Sequence, residues 1–351
     1  MTMHPIAQQL IEWYNRNGRD LPWRQTTDPY RIWLSEVILQ QTRVDQGLPY
    51  YNRFIDEFPN VLALADADEQ KVLKLWQGLG YYSRARNLHK AAKVIRDIHQ
   101  GVFPTDHATI RSLPGIGDYT AAAIASFAFK QPHAVVDGNV YRFLSRIFSI
   151  ETPIDSTAGK KVFQKTASEL IMDAPPDTFN QAIMEFGAMK CTPSKPDCPR
   201  CIFFERCLAS KTDMVSRLPV KAKKQKVRDR YFNYLVVRNR DDFYLKKRSG
   251  SGIWKNLWEF PMIESEFSAS EDWVLQEASA LFDTKGAIYR PGIDNRIHQL
   301  SHQRLHAAFH EFILKTEHGL PEDWKKVDTE KLFEFPLPRL IELFLKGQSE
   351  A

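Results

Sequence analysis

The chain of 351 residues has no apolar run of the about eighteen residues that a membrane-spanning helix needs, so no membrane partner is expected. It also lacks a charged-then-apolar leader. Met1-Thr2-Met3-His4-Pro5 runs straight into an amphipathic pattern, and the expectation is a protein of the cell interior. Cysteine is absent everywhere except between Cys191 and Cys207, where Cys191, Cys198, Cys201 and Cys207 fall together. A scattered disulfide framework is thereby excluded, and close clustering points to a metal or metal cluster. There is no internal repeat and no low-complexity tract. Nor is there a strong charge imbalance: the net charge of +5 is compatible with nucleic acid but does not demand it.

What is present divides in two. From Pro5 to about residue 210 apolar residues recur at helical spacing, as in Ile6, Leu10, Trp13 and Tyr14, then Trp33 and Val37. Asp66 and Asp68 read as helix caps, and prolines from Pro104 to Pro176 punctuate the later helices. Residues 211–229 read as a linker, with Lys211, Arg217, Lys221, Lys223, Lys224, Lys226 and Arg228 set against Asp213 and Asp229. Such a run is a solvated connection, a phosphate-contacting stretch, or both. Beyond Arg230 the texture becomes strand-like. Tyr231–Val237 and Phe243–Leu245 flank an Asp241-Asp242 turn, a helix follows over 272–281, and a strand over 307–314. The plan is a large all-helical region over 1–210, a basic linker over 211–229, and an α/β module over 230–351.

Leu113-Pro114-Gly115-Ile116-Gly117 precedes a helix of small residues, Ala121-Ala122-Ala123. Gly115 and Gly117 permit a tight turn whose backbone N–H groups point outward at a helix N-terminus, a ready site for a phosphate. Alone, the pattern is also that of an ordinary helix–turn–helix corner. With its Leu-Pro lead it resembles the helix–hairpin–helix of DNA repair glycosylases. Asp137, in Val136-Asp137-Gly138-Asn139, follows twenty residues after Gly117. By itself it reads as a helix N-cap; after this hairpin it resembles the catalytic aspartate of that superfamily.

The spacing Cys191-x6-Cys198-x2-Cys201-x5-Cys207 puts four thiolates on one loop, a donor set that suits either zinc or a [4Fe–4S] cluster. The spacing resembles the cluster loop of the endonuclease III and MutY glycosylases, and the resemblance implies [4Fe–4S] with a structural task. Lys190, Lys195 and Arg200 lie beside it in sequence, where they can meet phosphates.

Two positions choose within that superfamily. The endonuclease III branch carries a lysine two residues after the second hairpin glycine, whose amine attacks the sugar; here Tyr119 stands there. Without that amine, efficient strand cleavage is not expected. Glu36 lies in Trp33-Leu34-Ser35-Glu36-Val37-Ile38, where apolar neighbours should raise its pKa and favour the acid form. Pro22-Trp23-Arg24, this stretch with Leu39-Gln40-Gln41-Thr42, Gly78-Leu79-Gly80-Tyr81-Tyr82 and Phe179-Asn180-Gln181-Ala182 together resemble the MutY adenine glycosylase family over nearly the whole chain.

The resemblance implies a six-helix module over about 28–132, with the N-terminal helix and 133–210 forming the cluster module. It implies Glu36 as the acid that protonates adenine, Asp137 as the carboxylate facing the sugar, and Tyr119 as a polar neighbour of both. Arg19, Trp23, Arg24, Leu39, Asn139 and Gln181 would line the adenine pocket, and Gln41 and Tyr81 would fill or wedge the opened helix. The C-terminal module resembles the Nudix fold without its glutamate-rich box: the stretch from Trp258-Glu259-Phe260-Pro261 onward lacks the acidic series, so metal-dependent pyrophosphate hydrolysis is not expected. His298, Leu300, Ser301 and His302 resemble the loop that recognises 8-oxoguanine, with Leu300 standing where the family commonly has an aromatic residue. The expected partner is duplex DNA holding adenine opposite 8-oxoguanine or guanine, bound by a monomer that is cytoplasmic and, in a bacterium, nucleoid-associated. Two rivals remain: an endonuclease III-type glycosylase–lyase, and a cluster protein that binds DNA without catalysis.

Overall fold

The computed structural model describes residues 2–222 and 227–349. By backbone contacts the chain forms two compact units, Met1–Asp66 with Asn87–Lys224, and Ala67–Arg86 with Gln225–Ala351.

The helices up to the cysteines are α1 (Pro5–Asn17), α2 (Pro29–Leu39), α3 (Val44–Glu57), α4 (Val61–Asp66), α5 (Glu69–Leu75), α6 (Ser83–Ile98), α7 (His107–Ser112), α8 (Asp118–Phe129), α9 (Gly138–Ile147), α10 (Thr157–Ile171) and α11 (Pro176–Met189). A short α12 (Leu208–Lys211) follows them. Their starts obey local chemistry. Pro29 sits in the first turn of α2 while the Asp28 carboxylate accepts from the Tyr30 N–H, and Ser156 and Asp106 cap α10 and α7 in the same way. Asp68 caps α5, accepting from the Gln70 N–H. Asp66 ends α4 and pairs with Arg96 at 2.6 Å; a carboxylate at a helix C-terminus meets orphan carbonyls, so it binds a guanidinium instead.

Helix α2 is buried from Tyr30 through Ile38 apart from Arg31, and it packs on α3 and α8. The alanines of α8 make that close approach possible, since Thr120–Phe127 are all buried. A second core joins α1, α9, α10 and α11 through Leu10, Trp13, Phe143, Phe163, Phe179, Phe186 and Phe203. Edge-on ring contacts tie Phe186 to Trp13 at 5.0 Å and to Phe203 at 5.2 Å.

The stretch read as a linker from residue 211 is anchored to this helical unit as far as Ala222. Leu218 is buried, the Ile154 N–H donates to the Val220 carbonyl, and the Ala222 N–H donates to Asp155. An apolar side chain among the basic ones is enough to dock the segment. Lys223, Lys224 and Lys226 of the basic run lie outside the described residues.

The other unit is built on a mixed sheet. Its strands are β1 (Arg228–Asn239), β2 (Asp242–Lys247), β3 (Trp258–Glu259), β4 (Met262–Ser265), β5 (Ile288–Gln299), β6 (Gln303–Ile313) and β7 (Trp324–Asp328). The order is β3-β2-β1-β6-β5, with β4 on β1 and β7 on β2; β1 and β6 run parallel and every other pairing is antiparallel. Helix α13 (Glu271–Leu281) covers one face through Val274 and Ala278 against Leu235, Val237 and Phe312. Helix α14 (Arg339–Ser349) brings Phe344 against Phe309, rings stacked at 4.2 Å. The segment 67–86 belongs to this unit rather than to the helical one. Gln70 accepts from the Trp258 indole at 2.8 Å, the Lys74 ammonium reaches the Phe335 carbonyl at 3.3 Å, and the Tyr82 hydroxyl reaches the Leu337 carbonyl at 3.4 Å.

Candidate active site

In the helical unit one cavity of about 780 Å³ gathers residues from five parts of the chain. Glu36, Leu39 and Gln41 come from α2 and the turn after it, Tyr119 from the first turn of α8, Asp137 and Asn139 from the start of α9, and Gln181 from α11, with Arg19, Trp23 and Arg24 completing the wall. All ten of these residues were read from the sequence, and the fold places them around one space.

Glu36 is buried at 7% exposure because α2 is covered on nearly every side. That burial pushes its carboxyl up to about 7, the nearby Asp137 adds to the rise, and the Tyr119 hydrogen bond and the Arg24 charge oppose it. The Tyr119 hydroxyl donates to Glu36 Oε2 at 2.8 Å, which leaves Oε1 to carry a proton. Burial beside the two carboxyl groups also drives the Tyr119 phenol well above its ordinary range, so it remains a donor.

Asp137 is built differently. It caps α9, with Oδ1 accepting from the Val140 N–H at 2.7 Å and Oδ2 accepting from the Asn139 amide at 2.7 Å. Burial raises its pKa, and these two hydrogen bonds work against the rise. Both partners can only donate, so both oxygens are satisfied as acceptors by the anion. The Asn139 amide is itself oriented: its Oδ1 accepts from Arg142 Nη2 at 2.9 Å, which turns Nδ2 toward Asp137. Arg142 is in turn fixed by Nε donating to the Cys191 carbonyl at 2.6 Å.

Sequence reading missed the residue that holds the pocket wall. Glu185 on α11 is 1% exposed and accepts Arg19 through Nε at 2.8 Å and Nη2 at 2.7 Å, and Arg24 through Nη2 at 2.7 Å. Burial alone would raise its pKa; the Arg19 and Arg24 hydrogen bonds outweigh it and hold the carboxyl down at about 2. Its only signal was a carboxylate amid Ala182-Ile183-Met184 and Phe186. Arg142 and Arg146 were missed likewise, though two arginines one turn apart in an apolar helix carry the same message.

The hairpin between α7 and α8 separates its glycines. Gly115 has φ +78°, and a Cβ there would lie 2.5 Å from the Asn87 Cβ. Gly117, the N-cap of α8, is exposed, and a Cβ there would meet nothing within 4 Å.

The four cysteines line one small pocket with Arg146, Phe143 and Phe203. Cys191 Sγ accepts from Arg146 Nη1 and Cys201 Sγ accepts from the Phe203 N–H, both at 3.4 Å. Among the described residues no three His, Cys, Asp or Glu side chains converge closely enough for a single metal ion.

In the other unit Leu300, Ser301 and His302 form the tip of the β5–β6 hairpin, closed by the Leu300 N–H donating to the Gln303 carbonyl at 2.8 Å. Ser301 Oγ is hydrogen-bonded to the Tyr81 hydroxyl. His298 lies further down β5 with its ring 6.0 Å from Trp254, and burial, then the Arg339 charge, lower its pKa. Tyr81 has φ +46° and Gln41, in the helical unit, φ +56°. They are two of eleven non-glycine residues with left-handed backbone among the described residues, so the conformation alone does not single them out.

Comparisons with known proteins agree with this architecture. Residues 34–171 match the family described as HhH-GPD superfamily base excision DNA repair protein, and residues 233–347 match the NUDIX domain. The chain is 36% identical over 310 residues to the adenine DNA glycosylase of Buchnera aphidicola subsp. Schizaphis graminum, covering 87% of each. It is 34% identical to the adenine DNA glycosylase of Mus musculus, over 86% of this chain and 69% of that one. Among solved structures, a thermostable thymine-DNA glycosylase superposes with a TM-score of 0.55 at 28% identity, over 59% of this chain and 95% of that one. The chain is a DNA glycosylase of base excision repair and belongs to the adenine DNA glycosylase (MutY) family.

Proposed function

We propose that this enzyme hydrolyses the N-glycosidic bond of adenine mispaired with 8-oxoguanine, or with guanine, in duplex DNA, without efficient strand cleavage. The observation that carries the reading is the divided pair of carboxyl groups: Glu36 buried with one oxygen left for a proton, and Asp137 accepting from two donors, an arrangement that favours its anion. Breaking a bond from a sugar carbon to a purine passes through a cation-like transition state, and it needs an acid on the base side and an anion on the sugar side. A flipped adenine in the cavity would take the Glu36 proton at N7, while Asp137 stabilises the positive charge on the sugar. Unstacking costs a few kcal/mol and is easiest at a mispair. Arg19, Trp23, Arg24, Leu39, Asn139 and Gln181 would hold the base, and Gln41 and Tyr81 would fill the gap it leaves. With Tyr119 in place of an amine, the position two residues after the second hairpin glycine offers no Schiff-base nucleophile.

The hairpin backbone at Gly115 and Gly117 would seat a phosphate. In the Nudix-like unit, Ser301 at the hairpin tip would read 8-oxoguanine, with His298, Leu300 and His302 around it. Oxidation turns guanine N7 from an acceptor into an N–H donor, and a serine oxygen can accept from it. Cys191, Cys198, Cys201 and Cys207 would hold a [4Fe–4S] cluster; all-sulfur donors in one pocket, two already accepting N–H groups, fit that group. When bound, the cluster supplies a rigid tie for the loop that carries it. The reading takes the protein as a monomer on DNA.

The test is a single-turnover assay on duplexes with adenine opposite 8-oxoguanine, with and without alkali. Cleavage that appears only after alkali is the expected result. Strand cutting without alkali, or activity confined to thymine glycol, would move the chemistry to a lyase. Inactivity on both would leave binding without catalysis.

A further inference from the structure

Arg142 and Arg146 both project from α9 toward the cysteine loop, and they are used differently. Arg142 spends its hydrogen bonds on carbonyls and on Asn139. Arg146 reaches sulfur. It is 3% exposed; Nη1 donates to Cys191 Sγ at 3.4 Å and to the Thr192 carbonyl at 2.8 Å, and Nε donates to the Leu218 carbonyl at 3.2 Å. Its own carbonyl accepts from the Cys207 thiol at 3.5 Å. Among the described residues its hydrogen-bond partners are carbonyls and a sulfur, with no carboxylate, and a buried guanidinium is costly without an opposite charge. Neutral carbonyls satisfy the N–H groups without cancelling the charge. The negative partner that the burial requires is the sulfur site itself.

We propose that Arg146 is the electrostatic partner of the cluster, raising its reduction potential and protecting it from oxidative loss. The inference rests on the reading that the four cysteines hold a [4Fe–4S] cluster. An N–H donor to a ligating thiolate stabilises the more electron-rich state of the cluster, so removing it makes loss of an electron easier. The bond from Arg146 to Leu218 couples this effect to the segment that follows the cysteines.

The experiment uses the purified holoprotein, with Arg146→Gln to remove the charge and Arg146→Lys to keep it. Three quantities are read: iron content, the cluster's one-electron reduction potential, and the rate at which its visible absorption bleaches in ferricyanide, which takes the electron and becomes ferrocyanide. Arg146→Gln is expected to raise the ratio of oxidised to reduced cluster about tenfold at a fixed potential, about 59 mV lower for a one-electron couple, and to bleach about tenfold faster. Arg146→Lys is expected to shift in the same direction by less. Should Arg146→Gln yield no folded holoprotein, the lysine variant decides, and an unchanged potential there overturns the proposal. Equal potentials in all three proteins, with only iron occupancy reduced, would make Arg146 a packing residue and overturn it too. Wild-type protein carrying zinc and no iron would overturn the cluster reading beneath it.

Discussion

Replacing Glu36 by glutamine should make the protein less active and, above neutral pH, more stable. The Glu36 carboxyl is pushed from 4.5 up to about 7, with burial the largest cause. Between those values the folded chain holds a proton that the unfolded chain has released, so stability falls as pH rises, by about 1.4 kcal/mol per pH unit. Over about 2.5 units the loss is about 3 kcal/mol, complete once pH exceeds the folded value. Glutamine keeps the shape and can still accept the Tyr119 hydroxyl, yet it does not titrate. The variant should therefore match the wild type near the unfolded pKa and be more stable by about 3 kcal/mol at about pH 8, or about 6–12 °C in Tm for a unit of this size. Calorimetric melts of both proteins at about pH 5 and pH 8 measure the difference directly. A Tm gap that is the same at both values would refute the argument, because a gap independent of pH cannot come from a displaced titration.

Three further outcomes follow from the geometry. Gly115→Ala should destabilise the protein, since it forces a left-handed residue against Asn87, whereas Gly117→Ala should melt as the wild type does and bind duplex DNA more weakly; parallel melts and titrations separate the two. Glu185→Ala strands Arg19 and Arg24 and should cost about 3–5 kcal/mol by chemical denaturation, with excision lost as the pocket wall loosens. The wild-type contribution of Glu185 is present above the ordinary glutamate pKa and is lost only as pH falls toward about 2, so the cost should be constant from neutral down to about pH 5. Ser301→Ala should lower the ratio of excision rates for adenine opposite 8-oxoguanine over adenine opposite guanine, leaving the guanine rate nearly unchanged; equal losses on both substrates would remove Ser301 from lesion reading.

The parts of this molecule legible in the sequence are those whose chemistry is local. Glu36 stood out because its neighbours within one helical turn are apolar, and the hairpin because two glycines and a proline dictate a turn. The strands around Asp241-Asp242 announced themselves as runs of aromatic and branched apolar residues flanking a turn, and they pair as Arg238 with Phe243 and Asn239 with Asp242. What stayed hidden depends on contacts across the chain. Glu185 acquires its meaning from Arg19, 166 residues away. The segment 67–86 looks like any helical stretch, and only its hydrogen bonds to Trp258, Phe335 and Leu337 place it with the sheet. Leu218 was lost in a run dominated by basic residues, so a segment that docks as far as Ala222 read only as a basic linker.

The central claim is that protonated Glu36 expels the base while Asp137 stabilises the sugar. The most direct test is the single-turnover rate of adenine release, opposite 8-oxoguanine, in the wild type from about pH 5.5 to pH 9. The account predicts a rate that falls about tenfold per unit above about 7, as Glu36 loses its proton. A rate that stays flat to the alkaline end, with DNA binding intact, would contradict it.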